Sequence, residues 1–259
     1  NDMYVFNSWS DNKARSHNIT TPNVNTVYTA TLNQAKAQSV TFIPHYGSGD
    51  FAIHLQKEID DRISGVLSGL TTRSMWNTQG SDKLPWDRNP NTILSRGQRA
   101  LNLSGQSVWN SMGQYKRSGT LISPRHIIFA KHFSLPKDTV VVFVGPNNEI
   151  ITRTVTKVEL STTNDLGIAL LDRNVPDSIP FYPVISRADW EKYLKEIDAN
   201  TDIPIVYLNQ NDRVGIHVVK AGQFYSGSVN MAHAKGTGKR AEFDEPVISG
   251  DSGNPTFAI

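Results

Sequence analysis

Residues 118–172 read SGTLISPRHIIFAKHFSLPKDTVVVFVGPNNEIITRTVTKVELSTTNDLGIALLD. They divide into SGTLIS (118–123), HIIFA (126–130), TVVVFV (139–144), EIITRTVTKVEL (149–160) and LGIALLD (166–172). Each run is rich in β-branched or aromatic residues, and turn formers separate them. Many short strands in series mean a β-sandwich or barrel. After Asn174-Val175-Pro176 the pattern resumes in FYPVI, IPIVYL, RVGIHVV, QFYSGSV and NPTFAI. One helix is expected within this second set. Ser186 opens S-R-A-D, a capping box closed by Asp189, and Trp190, Tyr193, Leu194 and Ile197 follow at helical spacing. Two strand sets split near residue 175 predict two barrels of similar size.

Upstream, residues 50–70 (DFAIHLQKEIDDRISGVLSGL) place Leu55, Ile59, Ile63, Val66, Leu67 and Leu70 on one face, with Asp50 available as N-cap. The spacing predicts an amphipathic helix that relies on packing against a neighbour, because Gly65 and Gly69 each weaken it by about 1 kcal/mol relative to alanine. Residues 71–100, with Gly80, Pro85 and Pro90, read as loop. Residues 3–32 alternate β-branched and aromatic residues with polar ones and predict two or three short strands.

Of 259 residues, 38% are hydrophobic and 19% charged, enough apolar material for a folded core. The 26 basic and 24 acidic residues leave a formal charge of +2 and form no long basic run, which argues against a nucleic-acid partner. No run of eighteen or more apolar residues occurs, so no membrane span is expected. Cysteine is absent, which removes disulfides and thiolate metal sites from consideration. There is no HExxH, no carboxylate or histidine cluster with metal-ligand spacing, and no G-x-x-x-x-G-K-[ST] loop, so neither metal nor cofactor is expected. The start, NDMYVFNSWSD, lacks the regions of a signal peptide, so either a leader has been removed or the sequence begins inside a longer protein.

The most specific chemical signal is Ser249-Gly250-Asp251-Ser252-Gly253-Asn254-Pro255. Upstream, an apolar strand runs into His132, and Asp165 opens another apolar strand. A serine hydroxyl is a poor nucleophile at neutral pH and needs a base such as histidine, which a carboxylate can hold in the useful tautomer. The chain order His132, Asp165, Ser252 is that of the chymotrypsin type. Asp172 and Asp177 lie close enough to Asp165 to remain alternatives, whereas His17, His45, His54, His126, His217 and His233 read as structural.

Over about residues 101–259 the chain resembles the trypsin/chymotrypsin family, more closely its bacterial secreted branch. The family's T-A-A-H-C, D-I-A-L-L and G-D-S-G-G-P correspond to F-A-K-H-F (129–133), D-L-G-I-A-L-L (165–171) and G-D-S-G-N-P (250–255). The resemblance implies an all-β fold of two six-stranded antiparallel barrels and a serine endopeptidase acting on polypeptides through an acyl-enzyme. It also implies an oxyanion hole from the N–H groups of Gly250 and Ser252, with Asp251 ordering the loop. Pro246 stands where trypsin-like relatives carry a pocket-floor aspartate, so Pro246, Val247 and Ile248 imply an uncharged specificity pocket. Residues 3–32 resemble the closing half of a β-sandwich repeat of secreted bacterial proteins, matched by Phe6, Ser8, Trp9, Ser10, Asp11, His17, Ile19 and Thr20-Thr21-Pro22, then Tyr28 to Thr31. That implies a secreted or cell-surface location, with other domains of a longer chain or neighbouring copies as partners.

The domain plan is then a partial β-sandwich repeat (1–34), a helix and loop connector (35–100), a first barrel (101–176) and a second barrel (177–259) truncated at its C-terminus, since the family continues well beyond the serine. The chain departs from the family pattern at Lys131, Phe133 and Asn254, and it has no Ile-Val-Gly-Gly start near the first barrel strand. A nucleophile elbow fails because position 254 is Asn, and Gly-Asp-Ser lipases need a histidine after the serine, where none occurs. The rival reading is a protease-like binding or structural module, an adhesin or assembly component with little or no activity.

Overall fold

The computed structural model describes residues 4–10, 29–34, 50–67, 69, 73–78, 86–93, 101–108, 117–188, 203–225 and 228–258. The chain divides into two compact units, 1–39 and 40–259. In the first, β1 (Tyr4–Trp9) pairs antiparallel with β2 (Ala30–Gln34), with a bulge between Phe6 and Ser8. The rest of the repeat-like phrase, residues 11–28, lies outside the described residues, as does most of the helix expected from Ser186.

The second unit is mostly β. Its helix α1 (Asp50–Ile63) stops earlier than its apolar spacing predicts. Ser64 N–H still reaches the Asp60 carbonyl at 2.9 Å, but Gly65 turns to φ +71°, the left-handed conformation that ends helices. Leu67, expected on the buried face, is therefore past the helix and 83% exposed. Residues 71–100 are not simply loop: β3 (Trp76–Thr78) pairs with β4 (Asp87–Arg88), and the buried Trp76 and Trp86 rings meet edge to face at 4.8 Å. Arg88 lies over the Trp76 ring and donates to the carbonyls of Val144 and Gly145, fixing this hairpin to the following sheet. Burial pushes its guanidinium down to about 10.

The strands predicted from residues 118–172 form an antiparallel sheet in the order β5-β6-β9-β8-β7. These are β5 (Thr120–Ser123), β6 (His126–Ala130), β7 (Val140–Val144), β8 (Ile150–Leu160) and β9 (Leu166–Leu171). Alternation decides which face is inside: Ile127, Phe129, Val141, Phe143, Ala169 and Leu171 share one core, while His126, Val140 and Ile168 face outward. Burying side chains such as Phe129 and Phe143 contributes about 1.5–3 kcal/mol each. Six strands were expected and five are found among the described residues, but the segment 105–108 bonds both edges of the sheet. Ser107 N–H reaches Gly119 O at 2.9 Å beside β5, and Val108 N–H reaches Val142 O of β7 at 3.0 Å. The sheet is thus curled until its two edges share a bridging segment.

The second sheet has the order β12-β11-β10-β13, from β10 (Ile203–Leu208), β11 (Val214–Tyr225), β12 (Ser228–Lys235) and β13 (Thr256–Phe257). It shows four strands among the described residues against the six expected. FYPVI forms none of them. Tyr182 makes one backbone bond, its N–H to Leu121 O at 2.8 Å, and its hydroxyl donates to Asn102 O at 2.7 Å and accepts from Gly105 N–H at 3.1 Å. QFYSGSV is not one strand but the tip of the β11–β12 hairpin. β10 is buried along its whole length because α1 and the described stretches 73–78, 86–93 and 101–108 pack on it. Ile203 and Ile205 cluster with Ala52 and Leu55, and Val206 and Leu208 with Ile59, Ile63, Trp76 and Trp86.

Candidate active site

Antiparallel pairing of β6 with β9 sets Ala130 opposite Leu166, so the residues just beyond β6 and just before β9 meet at one end of the sheet. β6 leads into a single 3₁₀ turn, Lys131–Phe133, which carries His132, and Asp165 immediately precedes β9. Asp165 accepts the backbone N–H of His132 at 2.9 Å on one carboxylate oxygen. Its other oxygen takes a short hydrogen bond with ring Nδ1 of the same residue. A carboxylate accepting from Nδ1–H leaves Nε2 as the unprotonated nitrogen, the form a general base needs.

Lys131, an unexplained departure in the sequence, has a partner here. Its ammonium donates to Ser161 O at 2.8 Å, in the turn that leads to Asp165. Ser161 Oγ accepts Asn164 N–H at 3.0 Å and Ser161 N–H reaches Leu166 O at 2.8 Å, so that turn is closed on itself. Desolvation alone would raise the Asp165 carboxyl. The His132 N–H, the His132 ring and the Lys131 charge outweigh it and hold the group below its ordinary value. Both side chains remain open to solvent, His132 at 51% and Asp165 at 55% exposure.

Two successive tight turns lead through the serine: Asp251 N–H reaches Ile248 O at 3.1 Å just before it, and Asn254 N–H reaches Asp251 O at 2.9 Å around it. Glycine is required on both sides, since Gly250 has φ +104° and Gly253 has φ +89°. The N–H groups of Gly250 and Ser252 have no hydrogen-bond partner among the described residues, while that of Asp251 between them is bonded. Asp251 faces inward and ties the turn down: its carboxylate accepts Gln210 N–H at 2.7 Å and Ile248 N–H at 2.8 Å.

The serine turn is pressed against the histidine strand. A Cβ on Gly253 would stand 3.0 Å from the backbone nitrogen of Ala130, two residues before His132. Asn254, the second departure, accepts a hydrogen bond from Ser118 Oγ at 2.6 Å just ahead of β5. These contacts bring the Ser252 turn to the end of β6 that carries His132. Among the described residues no hydrogen bond joins Ser252 to the His132 ring.

Of the residues expected to shape specificity, Pro246 and Val247 are exposed and Ile248 is half-buried. Glu245, just before them, is turned inward and is only 3% exposed, between Arg73 at 2.8 Å and Arg213 at 2.6 Å. His217 stacks on Tyr207 at 4.2 Å and lies 2.9 Å from Glu245 O and 3.2 Å from Asp244 Oδ1. Asp244 and Glu245 stand beside the expected pocket in the sequence and His217 reads there as structural, but nothing in the sequence joins them into one cluster or singles out Gln210. Among the described residues there is no cluster of three or more His, Asp or Glu suited to a metal ion, and no helix long and apolar enough to cross a membrane.

No family model matches the chain, and no curated protein matches it. Among solved structures it is similar to an atomic-resolution structure of HBP, at 18% identity and a TM-score of 0.41 over 58% of this chain and 72% of that one. It is also similar to human heparin binding protein, at 18% identity and a TM-score of 0.42 over 59% of this chain and 74% of that one. Likeness at this level carries no weight for function.

Proposed function

We propose that the chain is a serine endopeptidase in which Ser252 is the nucleophile, His132 the general base and Asp165 its orienting carboxylate. One observation carries the reading: His132 is bonded through Nδ1 to Asp165 at the strand end against which the Ser252 turn is packed. In this mechanism His132 Nε2 takes the Ser252 proton as Oγ attacks the scissile carbonyl, and Asp165 stabilises the resulting imidazolium. The N–H groups of Gly250 and Ser252 receive the oxyanion, at about 2.7–4 kcal/mol per donor in the subtilisin precedent. His132 then gives the proton to the leaving amine, and water releases the acyl group by the reverse route.

The finer architecture belongs to the same proposal. The curled sheet with its bridging segment is the first barrel (101–176), the β10–β13 sheet the core of the second (177–259), and residues 35–100 connect a β-repeat remnant (1–34) to them. A bacterial origin and a secreted or cell-surface location rest on the resemblance of the N-terminal phrase, and of residues 101–259, to secreted bacterial proteins. Turnover of a mixed peptide library by the purified chain tests the activity, with Ser252→Ala as control. Cleavage abolished by the substitution is expected, and cleavage that survives it overturns the reading. A chain that folds but cleaves nothing favours the binding-module alternative.

A further inference from the structure

From the turn between β10 and β11, we infer that Gln210 is a positioning residue for the oxyanion hole, an inference that rests on Ser252 being the nucleophile. Gln210 grips the serine turn at two points on opposite sides of Gly250. Its backbone N–H donates to the Asp251 carboxylate at 2.7 Å, and its side-chain Nε2 donates to the carbonyl of Ser249. The Ser249 carbonyl and the Gly250 N–H belong to the same peptide plane, so fixing the oxygen fixes the direction of the N–H. The side chain also fills the space a Cβ on Gly250 would need, so glycine fits this position both for its φ of +104° and for the room Gln210 takes.

The alternative orientation of this peptide, rotated by about half a turn, would point the Ser249–Gly250 carbonyl toward the substrate and remove one of two donors from the developing charge. A loop held only by Asp251 could flip there, because Asp251 bonds Ile248 and Gln210 N–H groups and neither belongs to that plane. The amide of Gln210 is the contact that distinguishes the two orientations.

Gln210→Met keeps the length of the side chain without a donor, and Gln210→Glu keeps its shape while placing a carboxylate against the carbonyl. Active sites are first counted by stoichiometric reaction with a fluorophosphonate, so that misfolded molecules are excluded. Per active site, both variants should lose about 10- to 100-fold in kcat, less than the 10²–10³ lost with a donor itself. KM should stay within about twofold, and the acid limb of kcat/KM against pH, which reports the base, should not move. Unchanged kcat per active site in either variant, or a loss explained wholly by fewer active sites, overturns the inference while leaving the nucleophile intact. A wild-type Ser252 that does not react overturns both.

Discussion

Asp165 is bonded to His132 twice, once through the ring and once through the backbone N–H of the same residue at 2.9 Å. The double contact fixes both the position of the turn that carries the histidine and the orientation of its imidazole. Replacing Asp165 with Asn keeps an acceptor for the N–H but removes the charge and permits the wrong tautomer. We expect kcat to fall by roughly 10⁴-fold, as in the trypsin-type precedent, with KM little changed.

The same carboxylate makes stability depend on pH in a defined direction. Its value in the folded chain is depressed, so its stabilisation is present above the unfolded carboxylate range and is lost as pH falls through the folded value. With the side chain more than half exposed, the effect is small. The melting midpoint of wild type should exceed that of Asp165→Asn near neutrality and converge with it in acid. A gap that widens in acid would contradict the assignment.

Lys131→Met tests the support beneath Asp165. Loss of the bond to Ser161 O and of the nearby charge should raise the Asp165 carboxyl toward its ordinary value and lower kcat/KM several-fold, with the fold intact. Carboxyl titration by NMR and steady-state kinetics on the same variant read the two effects separately.

Gly253→Ala forces a Cβ onto a residue at φ +89° and within 3.0 Å of Ala130 N. The strain costs about 1–3 kcal/mol, and because the turn would move away from β6, activity should fall more than stability. Chemical denaturation alongside kinetics at a permissive temperature separates the two.

Cleavage should not favour Arg or Lys. Glu245 is committed to Arg73 and Arg213 and is unavailable as a pocket acid, while Pro246 and Val247 present apolar surface. A peptide library read by mass spectrometry decides this, and a preference for basic residues before the cut would show that Asp244 or another acid reaches the pocket.

What was legible in the sequence follows from physics that acts locally. HIIFA and IPIVYL coincide with β6 and β10, because β-branched runs bounded by turn formers leave few alternatives. The order of His132, Asp165 and Ser252 in the sequence pointed to the proposed site. The β3–β4 hairpin was hidden because strands of two and three residues carry no periodicity, and what holds them is tertiary: Trp76 on Trp86, and Arg88 on distant carbonyls. FYPVI forms no strand for a related reason, since the Tyr182 hydroxyl and a single backbone bond to Leu121 O, not a ladder, fix its segment. Lys131, Asn254 and Gln210 acquired a meaning only when folding set Ser161, Ser118 and Ser249 beside them.

Covalent labelling tests the nucleophile most directly. A fluorophosphonate probe incubated with the folded chain, followed by peptide mapping, should place a single adduct on Ser252, and neither Ser252→Ala nor His132→Ala should be labelled at a comparable rate. An adduct on another serine, equal labelling of Ser252→Ala, or a folded wild type that takes up no probe would contradict it.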